Sequence, residues 1–157
     1  MGPPIHLPSS GSKLNETLKP LFDILSGASK TIGPAMGSGG FVDVRDVAFL
    51  HIWAFENSEK ADGQRFCACQ GYAPLQAAAD ILRREYRGTK IGERIPVGEP
   101  GAGYQGYNAE TGRIEGLDYP EGRLRVSGEK ATRVTGLRYI DFEQSVLDTA
   151  KALEVLL

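Results

Sequence analysis

Apolar residues recur at helical spacing in three stretches of the chain and fill nearly every position of a fourth. In residues 14–27, Leu14, Leu18, Leu21, Phe22 and Leu25 share one side of a helix. Asn15 is placed to cap it, Glu16 lies in its first turn and Gly27 ends it. Pro20 has no amide hydrogen, so this helix either kinks or starts late. In residues 74–86, Pro74 suits a first turn, and Leu75, Ala78, Ala79, Leu82 and Tyr86 line one face. In the last helix Phe142, Val146, Ala150, Leu153 and Leu157 form the stripe, and Asp141 and Gln144 have capping-box spacing. "VAFLHIWAFE", residues 47–56, is apolar almost all round; with Asp46 as its cap, it is expected to be a buried helix. "GEKATRVTG" predicts a short helix after Ser127. Two short runs, "FVDV" at 41–44 and "QRFCACQ" at 64–70, predict strands. Each precedes a helix, which implies βα units, although two strands alone make a weak sheet. Residues 1–13, 31–40 and 87–126 predict loops, the last with one brief strand.

The 157 residues suffice for one domain. With 18 Lys and Arg against 20 Asp and Glu, the net charge is −2, and no basic stripe points to nucleic acid. No apolar run has the length of a membrane span. The start, "MGPPIHLPSS", lacks the basic and apolar regions of a signal peptide, and His6 stands where a myristoylation site needs Ser or Thr. A cytoplasmic protein is expected. Cys67 and Cys69 would lie on one face of a strand as buried thiols; a disulfide there would be strained, and no His is near to complete a zinc site. No metal is expected.

Two motifs invite a catalytic reading. "GAGYQG", Gly101 to Gly106, has the Gly-x-Gly-x-x-Gly spacing that binds dinucleotide phosphates. The fingerprint needs a buried strand before it and a helix after it. Here Pro100 and Glu99 precede it and "YNAETG" follows, so a glycine loop is expected instead. "YRGTK" has the Tyr-x-x-x-Lys spacing of a proton donor assisted by a lysine. Gly88 breaks the turn that would align Tyr86 with Lys90, and Tyr86 completes an apolar stripe. His51 beside Trp53 is expected to be a hydrogen-bonded core residue. No catalytic residue is assigned.

Taken in order, "FVDVRDVAFLHIWAFE", "GQRFCACQGYAPLQAAADILRREY", "IPVGEPGAG" and "GEKATRVTGLRYIDFEQSVLDTAKAL" resemble the C-terminal half of an extended short-chain dehydrogenase/reductase. The resemblance covers essentially the whole chain and is nearest to fungal NADPH-dependent aldehyde, ketone and methylglyoxal reductases. These are relatives of dihydroflavonol and cinnamoyl-CoA reductases in the NAD-dependent epimerase/dehydratase superfamily. It implies an α/β fold: the C-terminal part of a Rossmann-type domain, around 41–70 and 136–157, with a loop-rich, mostly helical substrate-binding subdomain around 1–40 and 71–135. The first Rossmann half, with the phosphate-binding turn and the catalytic Ser, Tyr and Lys, would lie upstream of "GPP" and so be absent. In that family NADPH reduces an aldehyde or ketone while a tyrosine protonates the oxygen. The resemblance puts Pro3 and Pro4 near the nicotinamide end of the cofactor. It suggests Phe41, Val97 and Tyr104 as walls of an apolar pocket for a small carbonyl substrate.

The expected function is thus the substrate-binding portion of an NADPH-dependent carbonyl reductase. By itself the chain is expected to be inactive and to bind no cofactor, with the missing N-terminal half as its partner. The alternative is a non-catalytic partner- or ligand-binding module, since helix 47–56 would lack the sheet it packs on. A compact enzyme using Gly101–Gly106 and Tyr86/Lys90 ranks third.

Overall fold

The computed structural model describes residues 1–32, 40–72, 74–122 and 124–157. The loop expected at 31–40 lies mostly outside them. Among the described residues six α-helices run as α1 Lys19–Ser26, α2 Val44–Glu56, α3 Ser58–Ala61, α4 Leu75–Glu85, α5 Glu129–Thr135 and α6 Phe142–Leu153. Two strand pairs accompany them: β1 Gly40–Phe41 with β2 Gly71–Tyr72, and β3 Gln105–Tyr107 with β4 Ile114–Asp118.

The core is a stack of α1, α4 and α6. Leu21, Ile24 and Leu25 of α1 and Val146, Ala150 and Leu153 of α6 close on Ile81 and Leu82 of α4. Gln76 through Leu82 are all buried, so α4 is enclosed on every side. Ala77, Ala78 and Ala79 have no bulk beyond Cβ, which lets its neighbours come close. As Pro20 implied, α1 starts late, at Lys19; the Asn15 side chain accepts the Leu18 amide one turn earlier. Gly27 ends it at φ 74°, a conformation costly for any residue with a Cβ. Asp141 caps α6 by accepting the Gln144 amide.

Several expectations are corrected. Both strand pairs are antiparallel, so the predicted βα units are not present as parallel pairs. The strand at 41–44 is reduced to Gly40–Phe41, because Asp43 takes the N-cap position and Val44 is already helical. Residues 64–70 form no strand: the Gln70 amide reaches the Phe41 carbonyl, but no partner strand continues the ladder among the described residues. Cys67 is therefore exposed and only Cys69 buried. The glycine-rich region holds two strands rather than one, and none at residues 95–98. The irregular register near Gly106 explains its φ of 88°: a Cβ there would meet the Gly116 carbonyl at 2.9 Å.

The main correction concerns α2. Its N-cap is Asp43, not Asp46. Asp43 is fully buried and accepts from the Arg45 amide and Nε at 2.9 Å each, from Arg45 Nη2 at 2.9 Å and from Ser145 Oγ at 2.6 Å. Arg45 Nη1 reaches Asp148 on α6 at 2.7 Å. Asp46 turns inward and accepts the Ile140 amide. Burial pushes its pKa up. Val47, Leu50, Trp53 and Ala54 are half-buried, with Trp53 edge-on to Phe66, and the remaining positions face outward. Asp46 is its one buried residue, while Ile52 is 58% and Phe55 87% exposed. Apolarity predicted burial, but among the described residues no element covers Phe49, Ile52 and Phe55.

Among the described residues, Tyr72 carries the one buried side-chain polar atom without a partner, its hydroxyl. An unpaired buried hydroxyl costs about 1–3 kcal/mol. Tyr72→Phe is therefore expected to leave stability unchanged or raise it by about 1 kcal/mol, read from the urea midpoint. A marked loss of stability would show that the hydroxyl has a partner in solution.

Candidate functional site

Two polar residues, four apart, interrupt the buried face of α4. Gln76 donates from Nε2 to Asp80 Oδ1 at 2.9 Å and to the Val97 carbonyl at 3.1 Å, and its Oε1 accepts the Glu99 amide at 3.0 Å. Asp80 Oδ2 accepts the Gly101 amide at 2.9 Å and the Tyr104 hydroxyl at 2.7 Å. The loop from Val97 to Tyr104 is thereby folded over the helix around a buried carboxylate. Burial, and then the Asp80 carboxylate, push the Tyr104 phenol well above its usual range, so it stays a protonated donor. Gly98 and Gly101 have positive φ, and a Cβ on Gly101 would strike the Tyr107 ring at 2.7 Å.

This geometry decides how the glycine motif is used. A dinucleotide pyrophosphate needs free amides at the turn and the start of a helix behind them. Here the amides of Glu99, Gly101 and Ala102 already donate within the chain, and β3 follows instead of a helix. The Gly101 amide, which a phosphate would need, is taken by the Asp80 carboxyl group. Gly101–Gly106 therefore do not fit NADPH.

Pro3 and Pro4 are held near the start of α2. The Met1 ammonium donates to the Val42 carbonyl at 3.1 Å, the Val44 amide donates to the Met1 carbonyl at 2.7 Å and the Gly2 amide donates to Thr149 Oγ1 at 3.1 Å. The prolines are half-buried and have no amide hydrogens, so they offer a ligand only carbonyls and ring faces. Phe41 is buried edge-on to Phe142, with ring centres 5.0 Å apart. Tyr104 is also buried, and Val97 is 51% exposed. Val97 and Tyr104 share one loop, Phe41 lies just before α2, and the prolines follow Met1, which is bonded to Val42 and Val44. No hydrogen bond joins the two groups among the described residues.

No hydrogen bond joins the Tyr86 and Lys90 side chains of the second motif among the described residues. α4 ends at Glu85, and the Tyr86 hydroxyl donates to Glu154 Oε1 at 2.5 Å. Burial and that carboxylate push its pKa up, the opposite of what a neighbouring lysine should do. Lys90 is exposed in the following turn. His51 is exposed, not in the core, with Nδ1 2.8 Å from the Val47 carbonyl. Among the described residues, no three His, Cys, Asp or Glu side chains are grouped to hold a metal. No helix among them is long and apolar enough to cross a membrane. Asp43 and Asp80, the two carboxylates that organise the structure, were not singled out from the sequence. A Gln76/Asp80 pair inside an otherwise apolar stripe was the available signal for one of them.

No protein-family model matches the chain. A Saccharomyces cerevisiae protein named as an uncharacterized oxidoreductase, YGL039W, is 33% identical over 116 residues, 74% of this chain and 29% of that protein. The NADPH-dependent methylglyoxal reductase GRE2 of the same yeast is 29% identical over 115 residues, 73% of this chain and 29% of that protein. The crystal structure of Gre2 from Candida albicans in complex with NADPH superposes with a TM-score of 0.66 at 28% identity, covering 99% of this chain and 41% of that one. The chain matches the C-terminal part of a fungal reductase of the short-chain dehydrogenase/reductase fold. It spans under a third of the length of these curated relatives. The α/β class expected for such a reductase part is the one shared with Gre2. The loop over Asp80 and the exposed face of α2 are thus features of a reductase part.

Proposed function

We propose that the chain is the substrate-binding part of an NADPH-dependent carbonyl reductase and has no activity by itself. The likeness to NADPH-bound Gre2 over 99% of the chain carries this reading. Val97 and Tyr104, fixed by the Gln76 and Asp80 bonds, supply one wall of the substrate pocket, and Phe41 a second. Pro3 and Pro4 meet the nicotinamide end of the cofactor through carbonyls and ring faces. Largely apolar walls of this kind suit a small carbonyl compound. The partner is an NADPH-binding part, which covers the outward face of α2 at Val44, Phe49, Ile52 and Phe55. Burying that face removes apolar area from water, at about 25 cal/mol per Å².

NADPH oxidation with methylglyoxal, measured on the 157-residue chain alone and again with the separately expressed NADPH-binding part of Candida albicans Gre2, tests the proposal. The chain alone is expected to give no turnover, and the mixture to give measurable turnover. Turnover by the chain alone overturns the proposal. Association without turnover favours the non-catalytic module. Saturable NADPH binding by the chain alone that Gly103→Val abolishes would return the cofactor to Gly101–Gly106.

A further inference from the structure

A cavity of about 530 Å³ lies between β2, β4 and the start of α5. That is within the ordinary range for small-molecule sites. None of the residues assigned above to the carbonyl pocket lines it. Its walls are aromatic: Tyr72 and Tyr119 are buried with ring centres 5.1 Å apart, and Tyr139 stands beside them. Among the described residues the Tyr72 hydroxyl has no partner, Tyr139 donates to the Cys67 carbonyl at 3.5 Å, and Tyr119 donates to the Val126 carbonyl at 3.3 Å and accepts the Val126 amide at 3.4 Å. The start of α5 is pressed into this wall, since a Cβ on Gly128 would meet Tyr139 Oη at 2.6 Å.

Two guanidiniums complete the lining. Arg125 lies 5.9 Å from the centre of the Tyr119 ring and pairs with Asp118 at 3.0 Å. Arg133 is exposed and makes no ion pair among the described residues. The acidic side chains in the lining are Asp118, held by Arg125, and Glu129. Aromatic walls favour a flat ring, and a guanidinium without a carboxylate favours a planar anion, which it can hold with two hydrogen bonds.

We propose that this groove binds a planar aromatic carboxylate, its ring against Tyr139, the half-buried ring of the lining, and its carboxylate on Arg133. The site is separate from the carbonyl pocket, and its occupancy needs neither NADPH nor turnover. It therefore stands or falls independently of the reductase reading.

The probe is 2-naphthoate, titrated into the 157-residue chain by calorimetry without NADPH. Saturable binding is expected with Kd on the order of 0.1 mM, ordinary for a ligand of this size. The neutral 2-naphthamide and the non-aromatic decahydronaphthalene-2-carboxylate should each bind roughly tenfold more weakly, one lacking the charge and the other the ring. Arg133→Gln should weaken naphthoate by about tenfold and Tyr139→Leu by several-fold, while Arg83→Gln, in a different cavity, should not change it. Arg133 is exposed, so its variant should keep the wild-type circular dichroism spectrum. No saturation below about 2 mM, equal binding of the amide, or unchanged affinity in Arg133→Gln overturns the proposal.

Discussion

Replacing Asp80 with alanine is expected to lower stability by roughly 3–5 kcal/mol, the largest effect of any single polar substitution in this chain. The carboxylate is buried and accepts from the Gly101 amide, the Tyr104 hydroxyl and Gln76 Nε2. Removing it leaves the first two donors buried without a partner, at about 1–3 kcal/mol each. Gln76 keeps its bond to the Val97 carbonyl, so its loss is smaller. Tyr104→Phe removes only one donor, together with its need for a partner, and should cost about 1 kcal/mol. Urea unfolding of both variants checks the ordering. If Asp80→Ala costs no more than Tyr104→Phe, the carboxylate does not organise the loop. If the reductase reading holds, Asp80→Ala also disorders one wall of the substrate pocket.

The second large effect lies at Asp43. Asp43→Ala should cost about 3 kcal/mol: it removes the cap of α2 and leaves Ser145 Oγ buried without its acceptor. The same residue sets an acid limit. Burial alone would raise its pKa, but hydrogen bonds from Arg45 and Ser145 outweigh that and hold it at about 2. Because folding lowers this pKa, the carboxylate's contribution is complete above its unfolded value near 4. It is lost as the pH falls through about 2. Near-neutral pH should therefore carry about 2 kcal/mol that is gone in strong acid. Asp46 opposes this, because burial raises its pKa and protonation relieves it as the pH falls. Asp43→Asn should flatten the stability profile between about pH 4 and pH 2. An unchanged slope would assign the acid limit to another group.

The helices and their inward faces follow from the spacing of apolar residues. α1, α4 and α6 lie where Leu21, Leu25, Leu82, Val146 and Ala150 put them, because a 3.6-residue period brings those side chains to one side whatever surrounds them. Gly27 and Asp141 mark helix ends for equally local reasons, a left-handed backbone and a side-chain acceptor. The unsuitability of the glycine motif for a dinucleotide was also legible, since its neighbours in sequence already lack the helix it needs. What the local pattern left open was everything that depends on a distant partner. Residues 64–70 have strand composition, yet a strand exists only when another lies beside it. α2 is apolar enough to be buried, but burial requires a covering surface, and its outward face has none among the described residues. Asp43 and Asp80 hold the fold through Ser145, Gly101 and Tyr104, residues 102, 21 and 24 positions away. Contacts over such separations carry no local period. Only the packed tertiary structure decided them, because burial is what turns an ordinary carboxylate into one that must find its donors.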